Sequence, residues 1–90
     1  MPTMRLRLNI GPRTLADLLP GEEGILGGIE LPEADARRLM ELGLIPGMRV
    51  RAAGRAPGGD PRVFRVDGTE IALRRETARH LILREEGDAA

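Results

Sequence analysis

The chain has 90 residues, 41% hydrophobic and 31% charged, with fourteen Arg balancing fourteen acids to a net charge of zero at pH 7. That is one domain, small enough to hide only ~60% of the surface its unfolded form exposes, and its balance of apolar and charged residues excludes a wholly disordered chain. Cys, Lys, Ser, Gln, Tyr and Trp are absent, and His80 and Phe64 are the sole His and the sole aromatic. This excludes a disulfide framework and a thiolate metal site, and it removes most of the nucleophiles and proton shuttles an enzyme draws on.

The opening "MPTMRLRLNIGP" interleaves Arg5 and Arg7 with Met4, Leu6, Leu8 and Ile10. It therefore lacks the continuous apolar run of a secretory signal, and residues 1–13 read as a flexible arm or an added edge strand. No stretch approaches the length of a membrane span, so a cytoplasmic location is the expectation. Pro20-Gly21 is a turn that opens a strand over 23–30, with Ile25 and Ile29 on one face and Leu26 on the other. Gly27-Gly28 inside it weakens the strand, or marks a bulge or a close backbone approach.

A helix follows over 32–42, with Pro32 at the first helical position and Glu33 and Asp35 in the first turn, where the dipole favours acids. Ala36, Leu39, Met40 and Gly43 fall at steps of three and four and form the inward stripe, leaving Arg37, Arg38 and Glu41 outside. Gly43 suits the left-handed position just past the helix, with Leu44 folding back on Leu39 or Met40. Pro46-Gly47 then turns the chain, and Met48, Val50 and Ala52 alternate with Arg49 and Arg51 in a strand over 48–54. The hydrophobic period changes from 3.6 to 2 across this junction.

"APGGDP" is a loop by composition, and its Pro57-Gly58 again precedes an extended segment. "VFRV" at 63–66 and "TEIAL" at 69–73 flank Asp67-Gly68, the pair favoured in a two-residue type I′ hairpin turn. "RETARH" at 75–80 reads as one helical turn, "LIL" at 81–83 as a last strand, and the polar tail at 85–90 as flexible. Five short strands with one inserted helix make a mainly β chain folded as a small, strongly bent antiparallel barrel.

Charge is uneven: residues 1–20 carry +2, 21–47 carry −4, 48–65 carry +4 and 66–90 carry −2. The basic block, Arg49, Arg51, Arg55, Arg62 and Arg65, is suited either to an acidic partner or to simple solvation of strand edges balanced by nearby Glu.

Taken together, "TLADLLPGE" at 14–22, "RRLMELGLIPGMRV" at 37–50, "APGGDPRVFRVDGTEIALRRETA" at 56–78 and the closing "LIL" resemble the FeoA family of SH3-like domains. The resemblance covers about residues 14–84, and its specific part is the pattern L-x-x-L-G-L-x-P-G-x-x-V from Leu39 to Val50. It implies an SH3-like barrel, and a non-enzymatic cytoplasmic accessory of ferrous iron uptake acting with FeoB, a membrane transporter that carries its own GTP-binding domain. Gly27-Gly28 departs from the more continuous apolar strand expected there. The same fold forms a C-terminal domain in iron-responsive repressors, but no DNA-binding domain is appended here, so the repressor form is not expected.

The candidate sites follow. Leu42, Leu44, Ile45 and Pro46, with Arg49 and Arg51, are the expected partner-binding residues, because one helix on a five-stranded barrel cannot turn Leu42, Leu44 and Ile45 all inward. Leu39, Gly43, Gly47, Val50, Asp67 and Gly68 are the expected structural motif. Glu76 and His80 have the spacing of two ligands for Fe(II) or Zn(II), but two ligands do not make a site, and a surface His near a helix end is the commoner case. No cofactor is expected. The arginine series also suits RNA, as in other small SH3-like barrels, although zero net charge and the lack of stacking aromatics argue against it. An exposed strand edge near residue 26 or the N-terminal arm would allow a homodimer.

Overall fold

The computed structural model describes residues 13–84. The expected N-terminal arm, apart from Arg13, and the expected tail at 85–90 lie outside the described residues. Five strands, β1 (Glu23–Ile29), β2 (Arg49–Arg55), β3 (Arg62–Val66), β4 (Thr69–Leu73) and β5 (Leu81–Leu83), form one antiparallel sheet in the order β4-β3-β2-β1-β5. The helix α1 (Glu33–Glu41) joins β1 to β2, and a single helical turn, α2 (Arg75–Ala78), joins β4 to β5. The chain is mainly β, as its hydrophobic periods require.

Two irregularities bend the sheet. In β1 the register against β5 slips between Leu26↔Leu83 and Gly28↔Ile82, so Gly27 is an extra residue. One extra residue shifts the in-out alternation by one, which turns Leu26 and Ile29, three positions apart, toward the same core. The bulge also brings backbone close to backbone: a Cβ on Gly27 would lie 3.1 Å from the amide nitrogen of Arg84 and 3.2 Å from its Cα. A second slip, between Ala52 and Gly54 of β2, bends the pairing with β3. β1 lies inside the sheet, so the dimer edge expected near residue 26 is not available; Leu26 pairs with Leu83 on one side, and on the other its amide donates to the Met48 carbonyl at 2.9 Å.

The core is Leu, Val and Ile from every strand around Phe64. Phe64 sits in register between Ala52 of β2 and Ile71 of β4, the small Ala making room for the ring. Asp67 and Gly68, with φ of 50° and 83°, close the β3–β4 hairpin with both central residues at positive φ, as the type I′ turn needs.

β4 and β5 end the sheet and do not pair with each other. The space beside them is filled by a 3-10 turn, Leu15–Asp17, which the sequence reading assigned to no element. Asp17 holds this turn by accepting from the amides of Arg13 and Thr14 at 3.1 and 3.0 Å. Leu15 and Leu18 are thereby driven into the core, the Leu83 amide donates to the Arg13 carbonyl at 2.8 Å, and Arg62 donates a guanidinium N–H to the Ala16 carbonyl. Asp60 in turn accepts from the amide of Arg75 at 2.8 Å, which satisfies one of the free donors at the start of α2.

Two local expectations shift. Pro32, with φ −55° and ψ 148°, caps the helix rather than opening it, so α1 starts one residue later at Glu33. Pro57-Gly58-Gly59 forms a short 3-10 turn, and β3 begins at Arg62, one residue ahead of the expected strand at 63–66.

Candidate docking surface

The junction after α1 decides which apolar side chains reach solvent. Gly43 has a φ of 111°, and two backbone bonds cross the helix end: Gly43 N–H to the Met40 carbonyl and Leu44 N–H to the Leu39 carbonyl, each 3.0 Å. This is the paired pattern of a Schellman stop, which satisfies carbonyls the helix would leave free. It presses Leu44 against the core beneath Leu39, and both are buried. A Cβ on Gly43 would meet nothing within 4 Å, so the constraint there is backbone conformation alone. Gly43→Val is therefore expected to cost roughly 1–3 kcal/mol through strain, read as a lowered denaturation midpoint; an unchanged midpoint would show that the left-handed turn is not required.

Because Leu44 turns in, its neighbours turn out. Leu42 is 49% exposed, Ile45 46% and Met40 38%, and Pro46 is exposed as well. Leu44 was expected among the partner-binding residues; at 0% exposure it cannot touch a partner and belongs to the core. Met40 was expected inward, but the helix buries only Leu39 of its stripe, so Met40 joins the outer group. The group stands on braced backbone: Gly47 N–H donates to the Leu26 carbonyl at 2.7 Å and Met48 N–H to the Ile45 carbonyl at 3.0 Å. Single exposed apolar residues are ordinary on any surface, whereas four within seven positions around one fixed turn are a local concentration that merits a function.

The basic residues do not form the continuous track their spacing suggested. Arg49 Nη1 holds Glu23 Oε1 at 2.8 Å, Arg65 Nη2 holds Glu70 Oε2 at 2.6 Å, and Arg51 lies 3.7 Å from the other oxygen of Glu23. Arg62 is half-buried and spent on the Ala16 carbonyl. The nearby Glu expected to balance strand-edge arginines are there: Glu23 from β1 and Glu70 from β4, 26 and 5 positions away in the chain from Arg49 and Arg65.

Glu76 and His80 are not joined by one helix. α2 ends at Ala78, and His80 belongs to the turn into β5, where its carbonyl accepts from the Glu30 amide at 2.8 Å. Among the described residues no three His, Asp or Glu side chains come together as a metal set, and no helix is long and apolar enough to cross a membrane.

A family model described as "FeoA domain" matches residues 13–85. A search of curated proteins gives no match. Among solved structures, FeoA of Stenotrophomonas maltophilia is 32% identical, with a TM-score of 0.70 over 79% of this chain and 88% of that one. That protein was crystallised with zinc and is described as a procaryotic SH3 domain protein put forward as a ferrous iron transport activating factor. FeoA of Chlorobium tepidum is 27% identical, with a TM-score of 0.73 over 86% of this chain and 78% of that one. Iron(II) transport protein A of Clostridium thermocellum is also 27% identical, with a TM-score of 0.74 over 82% of this chain but only 46% of its own.

Proposed function

The chain belongs to the FeoA family, which is associated with ferrous iron transport, and on that premise we propose that it is a non-catalytic, cytoplasmic docking module that modulates a FeoB-type transporter. The observation that carries this reading is the patch of Met40, Leu42, Ile45 and Pro46, held outward by the glycine stop and fastened to β1 by backbone hydrogen bonds. A rigid apolar group rimmed by charge suits a protein interface, whose energy concentrates in a few well-fixed side chains. The poverty of nucleophiles and proton shuttles supports a role through contact rather than chemistry. GTP binding falls to the partner, since among the described residues no glycine-rich loop leads into a helix in the manner of a phosphate cradle.

The test is a set of three titrations of the labelled protein: with the cytoplasmic GTP-binding part of the transporter, with Fe(II), and with a short oligonucleotide at moderate salt. Saturable binding to the transporter part is expected, centred on the amides of residues 40–45. Saturable, steeply salt-dependent binding to the oligonucleotide with none to the transporter would overturn the reading in favour of an RNA module.

A further inference from the structure

Four charged side chains form one row across the sheet. The register sets Glu23 of β1 opposite Arg51 of β2, Arg51 opposite Arg65 of β3, and Arg65 opposite Glu70 of β4. The row reads minus, plus, plus, minus, and all four residues are exposed. Like charges directly opposite on neighbouring strands weaken a sheet, so the central pair of arginines calls for a reason. The acids do not fully balance it. Glu70 is committed to Arg65 at 2.6 Å, but Glu23 serves two cations, Arg49 at 2.8 Å and Arg51 at 3.7 Å, the latter beyond hydrogen-bond reach. Three arginines against two glutamates leave one positive charge over, and the long contact puts it on Arg51. Beside the two arginines lies a shallow cleft lined also by Gly21, Ala52 and Ala53; the Ala52 methyl lies in the core, and the small Gly21 and Ala53 leave the cleft open to an approaching backbone.

We infer that this cleft accepts one carboxylate side chain from an acidic segment of a partner protein, held between Arg51 and Arg65. The inference rests on the docking reading above and adds the chemistry of what docks. A planar carboxylate matches the guanidinium fork, and Arg65 already holds the Glu70 carboxylate through one of its nitrogens. A polyanion fits worse. The positive centre is only two strands wide, about 5 Å, and the acids at both ends of the row repel a phosphate chain laid across it. The sole aromatic ring, Phe64, is fully buried, so no aromatic platform for a base stands beside the cleft.

The probe is an acetylated, amidated peptide carrying Asp and Glu in a glycine background, titrated into the isotope-labelled full chain, with its Asn and Gln counterpart and inorganic phosphate as parallel arms. The acidic peptide should shift the amides of Gly21, Ala52 and Ala53, and the binding should weaken as salt is raised. Arg51→Ala and Arg65→Ala should each lower affinity about tenfold while leaving the denaturation midpoint unchanged, since both side chains are exposed. Equal binding of the amide peptide, shifts confined to other amides, or tighter binding of phosphate at the same amides would overturn the assignment. The transporter arm separates the two ideas. Equal binding of its cytoplasmic part by wild type and Arg51→Ala would keep the docking reading and sink this site. Binding of the acidic peptide without binding of the transporter would do the reverse.

Discussion

Phe64→Ala is expected to destabilise the domain severely, lowering the denaturation midpoint by about a third or more of its wild-type value. The ring is fully buried, and it is the only aromatic the core has. Its neighbours in register are Ala52, too small to collapse into the space, and Ile71, fixed in the adjacent hairpin strand. Removing a buried Phe costs about 3–5 kcal/mol, most where the surroundings cannot close the cavity. A domain of this size has a total stability of roughly 5–10 kcal/mol, so about a third of it or more would go. Phe64→Leu, which keeps most of the volume, should lose clearly less. A midpoint for Phe64→Ala within about 1 kcal/mol of wild type would mean that the core is not organised around the ring.

The second large effect is a contrast between neighbours. Leu44→Asp should abolish folding, whereas Ile45→Asp should leave the fold intact and remove docking. Leu44 is fully buried, so a carboxylate there would be taken out of water with no partner, at a cost of about 4 kcal/mol or more. Ile45 keeps 46% of its surface in solvent, and its replacement should shift stability by no more than about 0.5 kcal/mol. In the apolar patch the same change places a charge where a partner would have to desolvate it, and a loss of roughly 2 kcal/mol, about thirtyfold in Kd, is expected. Circular dichroism and denaturation of both variants, followed by titration of Ile45→Asp with the transporter's cytoplasmic part, check the pair. A folded Leu44→Asp protein would contradict the Schellman packing. An Ile45→Asp protein that still docks normally would move the interface elsewhere.

Local features were legible because local physics makes them. The change of hydrophobic period at 43–48 marks helix and strand, Gly43 marks the stop, and Asp67-Gly68 marks the hairpin; each depends on dihedral preferences that a few neighbouring residues settle. The capping spacing of Thr14 and Asp17 was equally visible and could have revealed the 3-10 turn that carries Leu15 and Leu18 into the core. The β1 glycines were readable as a bulge or a close approach, and Gly27 proves to be both.

Facing and partnership were not legible, because they depend on what arrives from far along the chain. The glycine stop already implied that Leu44 folds back on Leu39 or Met40, yet Leu42, Leu44 and Ile45 look alike as letters, and only burial in the assembled core separates one core residue from two surface ones. Arg49, Arg51 and Arg65 look like a basic stripe until strand pairing brings Glu23 and Glu70 beside them. Backbone torsions are chosen within a few residues, so the alphabet of elements could be read directly from the chain. Burial and charge balance are sums over neighbours in space, and those neighbours exist only once five strands have closed around Phe64.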